Sequence, residues 1–226
     1  MKQAVVYAPA SPAKYIPFDY QYLHSIFIMK KTFFSLSLLV AAAGAAQAQT
    51  PATTVGISLA YGRSRLLNNN NYTSTGHSAY QAGLNADVYL AEVISFHPEL
   101  LYSMRYYDTS SAATASLNRD VTSINVPLLL RYHADGLYFE AGPELDVPIK
   151  AVNEDAADIK SEVNSVALNY VVGLGYQLNH GPSLGVRYDG GASNVFKSNA
   201  ATVLGTGQYK TSNIWVVLAY SFGGSK

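Results

Sequence analysis

Cysteine is absent from the 226 residues. That excludes disulfides, thiolate metal sites, a cysteine nucleophile and an acyl anchor on cysteine. Charge is scarce as well: Asp, Glu, Lys and Arg make up 13% and balance to a formal net charge of zero. Such a chain has no electrostatic footprint for nucleic acid. No hydrophobic run dominates, and none reaches the roughly 20 residues of a membrane-spanning helix. What the chain has in quantity is aromatic residues, 12% in all, with 18 tyrosines. An exported protein without disulfides must find its order elsewhere, and a closed hydrogen-bonded sheet is one source.

The most informative stretch runs from Val166 to Leu178. Val166, Leu168, Tyr170, Val172, Leu174, Tyr176 and Leu178 are large and apolar, and the residues between them are mostly small or polar. A period of two is one face of a β-strand. A helix would need apolar residues at i, i+3, i+4 and i+7, and Gly173, Gly175 and Gln177 break that stripe. Globular strands average about 5–6 residues, whereas a tilted strand crossing a bilayer needs about 9–11 with its apolar side on lipid.

Near the start, Met29-Lys30-Lys31, an apolar run from Phe33 to Ala43 and Ala46-Gln47-Ala48 together have the form of a cleavable signal peptide at 29–48, cut before Gln49. Residues 1–28 in front of it read as a gene-model extension, which the intact mass of the mature protein would check. The mature domain is then 49–226. Residues 1–48 hold four Lys and one Asp, so 11 basic and 14 acidic side chains remain, net −3.

The same alternation recurs along the mature chain. The outward positions are Val55–Tyr61, Tyr80–Leu90, Phe96–Tyr106, Ile124–Tyr132, Leu137–Leu145, Val166–Leu178, Leu184–Tyr188 and Ile214–Phe222, each taken every second residue. That makes eight strands. Asp135-Gly136 is a two-residue hairpin signal and Asn179-His180-Gly181-Pro182 a second turn. Long polar connections at 67–79, 108–120, 148–165 and 193–212 alternate with short ones near 91–94, 134–136 and 179–182. The pattern predicts an all-β fold, an eight-stranded antiparallel up-and-down transmembrane β-barrel, with long loops outside the cell and both termini in the periplasm. Pro127 and Pro143 each remove a ladder donor, and bulges are expected there.

Outward aromatics fall at the two strand ends, as in lipid-interface belts: Tyr61, Tyr80, Tyr106 and Tyr170 on the outer side, Phe96, Tyr132, Phe139, Tyr176, Tyr220 and Phe222 on the periplasmic side. Inward positions collect Asp87, Glu99, Arg105, Arg131, Glu140, Glu144, Asp146, Arg187 and Asp189. Polar inside and apolar outside is the order that lipid imposes. A soluble periplasmic ligand-binding barrel needs every face reversed. The interior of eight strands is only just wide enough for side chains to fill, so the charges read as a structural network rather than an ion path.

The segment Ser123-Ile-Asn-Val-Pro-Leu-Leu-Leu-Arg-Tyr132 resembles the PorT-like outer-membrane β-barrel family, in which such a segment opens a central hairpin. Tyr138-Phe-Glu-Ala-Gly-Pro143 is similar to its partner strand, and Val172–Tyr176, Val186–Tyr188 and Ala219–Phe222 to later strands. The resemblance spans residues 53–222 and implies fold and location, with a role in a protein secretion apparatus as one option. Barrels of this kind often end on the aromatic that the assembly machinery recognises, whereas Gly223-Gly-Ser-Lys226 follows Phe222 here.

Other chemistry is thin. Glu154, Asp155, Asp158 and Glu162 share one loop, with 154, 158 and 162 spaced for one helix face, but they lack the pattern of a calcium loop. His77 lies near Ser74 and Ser78 with no orienting acid in view, and His97 and His133 lie toward the periplasmic ends. The expectation is a monomeric, non-enzymatic barrel without cofactor or metal. Its partners would be outer-membrane lipid, the assembly machinery and an envelope or extracellular protein reached through the loops.

Overall fold

The computed structural model describes residues 53–68, 73–111, 114–178, 181–197 and 208–222. The expected signal peptide and the extension before it lie outside the described residues. Eight strands follow one another: β1 (Thr54–Asn68), β2 (Thr73–Ala91), β3 (Ile94–Ser111), β4 (Thr114–Ala134), β5 (Leu137–Asn153), β6 (Ala167–Gln177), β7 (Pro182–Gly191) and β8 (Tyr209–Phe222). Each pairs antiparallel with the next, and β8 returns to β1, so the sheet closes into a barrel. The termini of the barrel, the turns at 92–93 and 135–136 and the β6–β7 connection share one end, called here the turn end. The opposite end carries the other connections.

The alternation decides which side faces out. Val55, Ile57, Leu59, Leu168, Val172, Leu174, Leu184, Val186, Val216 and Leu218 are all exposed. Their neighbours in sequence point into the barrel, as the pleat requires. At the β4–β5 turn, Asp135 and Gly136 both have positive φ, 54° and 88°, which is the primed turn that matches strand twist.

Two expectations are corrected. The stretches 67–79 and 108–120, read as loops, are mostly strand: β1 reaches Asn68 and β2 starts at Thr73, while β3 reaches Ser111 and β4 starts at Thr114. β4 is 21 residues long, about twice what a bilayer crossing needs. Beyond the lipid a strand is no longer held to an apolar outer face. The Ser, Thr and Asn there continue the ladder, with Thr73 paired to Ser110 and Asp108 to Asn118. Likewise β5 runs on to Asn153 through residues expected to be loop.

The second correction concerns proline. Register is the same on both sides of Pro127 and Pro143, so no bulge forms at either. Instead the β4–β5 ladder skips Leu128 and Leu129 where Pro143 and Gly142 lie opposite. A Cβ on Gly142 would meet the Leu128 carbonyl at 2.1 Å, so the missing donor is accommodated by close approach rather than by an inserted residue. The register shifts occur elsewhere: at Thr122/Ser123 between β4 and β5, at Gly76/Ala79 and Tyr89/Ala91 between β2 and β3, and at Thr109/Ser111 between β3 and β4.

Candidate functional site in the barrel lumen

The nine inward charges expected from the alternation are all buried, none more than 5% exposed. They separate into two layers. Nearer the turn end, six side chains from β2, β3, β4, β5 and β7 form a closed circuit of alternating acid and base. Asp87 accepts from His97 Nδ1 at 2.9 Å, and His97 Nε2 lies 3.1 Å from Glu99. Glu99 accepts from Arg187 at 2.5 Å, and Arg187 donates to Glu140 at 2.9 Å. Glu140 also accepts from Arg131 at 2.8 Å, and Arg131 returns to Asp87 at 3.1 Å.

His97 and Glu99 can flank one another in this circuit because residues two apart on a strand share a face. Both His97 nitrogens meet carboxylate oxygens, and only an imidazolium donates from both. The circuit then holds three positive and three negative groups and is neutral as a unit. That matters because an unpaired charge in such an interior is far costlier than a paired one.

Aromatic packing supports the circuit. The Arg131 guanidinium lies 4.2 Å over the Tyr138 ring, a cation–π geometry. Tyr138 fits because β6 and β7 carry glycine beneath it: a Cβ on Gly175 or Gly185 would meet its hydroxyl at 2.3 or 2.5 Å. Below, Ser95 donates to Asp87 at 3.0 Å and lies 2.9 Å from His133, whose ring stacks at 5.2 Å on Tyr89.

The second layer, farther along the strands, has one cation and three carboxylates. Arg105 donates to Asp146 at 2.5 Å and to Ser123 at 2.8 Å. Glu144 accepts from the amides of Asn125 and Asn169 at 2.7 and 2.9 Å. Asp189 accepts from the Trp215 indole at 2.5 Å. Trp215 is fully buried beside Ala79 and Val217, with Ala60 packed against it.

At the end opposite the turns the interior changes character. Leu66, Tyr107, Val121, Ala151 and Tyr209, all inward on strands, join Ile159, Val163, Val195 and Phe196 from the connections in one apolar cluster. Phe196 meets Tyr209 edge-on, centroids 6.0 Å apart. Two connecting segments are stitched together above it. Val163 and Phe196 form a β-bridge, Asn164 donates its amide N–H to Val195 O at 2.8 Å, and Lys197 donates to Glu162 O at 2.9 Å. An apolar cap therefore covers a charged lumen.

The expected aromatic positions fall outward. Tyr61, Tyr80, Tyr106 and Tyr170 are exposed toward the capped end, and Tyr132, Phe139, Tyr176, Tyr220 and Phe222 toward the turn end. Phe96 is half-buried. Tyr61 and Tyr80 are register partners with rings 5.4 Å apart.

The acidic loop is not a helix face. Only Lys160–Glu162 form a short 3₁₀ turn. Glu154 pairs with Arg119, and Asp158 accepts the Lys160 N–H at 2.8 Å. Among the described residues no three His, Asp or Glu side chains are placed to hold a metal ion. Sequence reading missed His97 as a member of the circuit, although its inward parity beside Glu99 was available. It also missed the apolar cap, whose strand residues lay in stretches read as polar loops.

Comparison with known proteins adds a family. A family model described as outer membrane protein beta-barrel domain matches residues 34–222. Among solved structures the chain is similar to OprG from Pseudomonas aeruginosa, with 16% identity, 78% of this chain and 98% of that chain covered, and a TM-score of 0.44. It is similar also to Ail, the attachment invasion locus protein of Yersinia pestis, with 13% identity, coverage of 75% and 99%, and a TM-score of 0.46. Neisserial surface protein A gives 11% identity, coverage of 75% and 97%, and a TM-score of 0.43. No curated protein sequence matches the chain.

Proposed function

The chain belongs to the outer membrane protein beta-barrel domain family, and on that premise we propose that it is a plugged, non-enzymatic barrel of the outer membrane that acts through its capped end at the cell surface. The observation that carries this reading is the filled interior. A neutral ion circuit, a second polar layer and an apolar cap follow one another along the axis. Eight strands leave an interior only just wide enough for side chains. A solute would have to break buried ion pairs to pass.

What remains available for interaction is the outside of the capped end, where strands continue beyond the lipid and the stitched segments lie. Long strands and connections at that end fit the extracellular side of bacterial barrels, with short turns and both termini in the periplasm. An envelope or extracellular protein is the partner this reading favours. A secretion-apparatus role rests on the motif of Ser123–Tyr132, which lies on β4 with Arg131 in the ion circuit.

Three measurements test the reading. In planar bilayers the purified protein should give no stepwise conductance, and open-channel steps would refute the plugged lumen. Because the chain lacks cysteine, Asp155→Cys and Glu92→Cys can each be labelled alone. A membrane-impermeant maleimide added to intact cells should reach the first and not the second. The reverse pattern would invert the proposed orientation. Capture of an envelope protein by the tagged barrel, lost when residues 154–164 are replaced by a short Gly/Ser link, would support the surface role. Capture that survives the replacement would move the contact elsewhere.

A further inference from the structure

Charge is unevenly shared around the wall at the capped end. No Asp or Glu occurs from Gln49 to Ala86 or after Asp189, so β1, β8 and the capped-end half of β2 carry no acid. The same sector carries Arg63 and Arg65 on β1 and Lys210 on β8. Parity puts all three on the outer face. Arg63 and Arg65 continue the outward row of Leu59 and Tyr61 and are exposed, and Lys210 is the register partner of exposed Leu67. Just below them, Tyr61 pairs with Val216 and Arg63 with Ile214, whose apolar side chains are exposed to lipid. The outer face of β1 thus passes from lipid-facing to basic in one outward step.

Both guanidiniums are held in place without being neutralised. Gly76 O accepts from Arg63 Nε at 3.1 Å and also from its Nη2. Arg65 Nε donates to Ser212 Oγ at 3.4 Å, and that oxygen lies 3.3 Å from the Tyr188 hydroxyl. Among the described residues the arginine–carboxylate pairs all belong to Arg105, Arg119, Arg131 and Arg187. The Nη groups of Arg65 and Nη1 of Arg63 therefore keep their donors for an external acceptor. Residues two apart on a strand are about 7 Å apart, and paired N–H groups of guanidinium match the oxygens of phosphate.

Elsewhere the same end is acidic or neutralised. Arg119 is bound to Glu154 and Lys150 acts on Asp120. A cavity of about 410 Å³ beside His77 is walled by Asp120 and Glu154. An anion is drawn to the β1–β8 side and away from β4 and β5.

What covers this face follows from what adjoins it. Leu59, Tyr61, Ile214, Val216 and Leu218 form an exposed apolar strip directly below, so a lipid whose chains lie on that strip brings its headgroup level with the arginines. A phosphate monoester carries close to two negative charges and three strong acceptor oxygens, whereas the diester of an ordinary phospholipid carries one charge. Three unpaired cations suit the monoester.

We propose that Arg63, Arg65 and Lys210 bind the phosphate monoester of a glycolipid headgroup of the lipid A type in the surrounding leaflet. The choice of lipid A rests on the reading that the capped end faces outward, where that lipid forms the leaflet. The preference for phosphate does not depend on orientation.

The test titrates lipid A carrying both phosphates into the purified barrel in zwitterionic detergent micelles and counts bound lipid by native mass spectrometry. Saturable retention of lipid A is expected, weakened about tenfold for lipid A stripped of phosphate and in Arg63→Gln/Arg65→Gln. Lys150→Gln/Lys160→Gln removes the same charge from the other side and should change retention less than about twofold. Unchanged heat-dependent mobility in SDS reports that both double variants fold. Equal retention of the dephosphorylated lipid or of phosphatidylglycerol, or an equal loss in the two double variants, overturns the proposal. Inorganic phosphate at the concentration of lipid A should leave retention unchanged, and displacement would overturn the lipid source. Reversed cysteine labelling in cells with the phosphate preference intact would remove lipid A as the partner and leave the phosphate site, so the two readings fail separately.

Discussion

Changing Glu140 to glutamine removes one charge from the ion circuit while keeping the length and shape of the side chain. The carboxylate accepts four N–H groups, from Arg131 Nε and Nη2 at 3.2 and 2.8 Å and from Arg187 Nε and Nη2, both at 2.9 Å. Charge-assisted bonds contribute about 1.5–3 kcal/mol each. The cost of desolvating the charges offsets much of that, and breaking a buried pair from one side costs about 3–5 kcal/mol. In Glu140→Gln two guanidiniums share one neutral acceptor, and the new NH₂ has no acceptor between them. About 4 kcal/mol of destabilisation is expected. The single tryptophan, Trp215, is fully buried and reports unfolding in urea from phospholipid vesicles. With a slope of about 2 kcal/mol/M, the midpoint should fall by roughly 2 M. Adding Arg187→Met restores the charge balance and should recover part of the loss, with a coupling of at least about 1 kcal/mol. A fall equivalent to less than about 1 kcal/mol, the range of surface pairs, would mean that the circuit is wet and loosely held.

Gly175→Ala should cost about 1–3 kcal/mol, because its methyl meets Tyr138. Tyr138→Leu in the same chain should relieve the clash when read by the same urea assay. Trp215→Phe removes the donor to Asp189 and should cost about 1–3 kcal/mol, seen as a lower temperature for loss of the compact band in SDS. Phe196→Ala opens the apolar cap, where a lost phenyl costs about 3–5 kcal/mol in a rigid core. Here the loss should appear as faster tryptic cleavage at Lys160 and Lys197 with the heat-dependent band shift unchanged. A collapse of the band shift would show instead that the cap holds the barrel itself together.

The faces of the strands were legible because lipid and lumen impose opposite demands on alternate residues. Leu168 and Asn169 differ by one position and lie on opposite sides of the wall. The hairpin at Asp135-Gly136 was legible for its backbone demands alone. Which acid meets which base was not. Arg187 reaches Glu99 across 88 positions and Arg131 reaches Asp87 across 44, contacts made across a lumen rather than along a ladder. Strand length also escaped, because Ser, Thr and Asn suit an aqueous strand as readily as a loop once lipid no longer selects the outer face. The cap followed the same blind spot, since Tyr107, Val121 and Ala151 look isolated until the ladder beneath them is known. The cavity beside His77 was out of reach for a related reason: its walls come from four strands, β2 to β5, and one turn.

The joint between β1 and β8 closes the cylinder through register pairs from Val55–Phe222 to Asn68–Tyr209. Every residue that this joint turns inward is uncharged, from Gly56, Ser58 and Gly62 on one side to Asn213, Trp215 and Val217 on the other. The charged partners of the circuit all stand on β2 to β7. The seam itself therefore strips no ion of water: it asks for backbone hydrogen bonds and for an indole to slide over Gly62, while the ion pairs that reach across the lumen, such as Arg187–Glu99, form as the sheet curls.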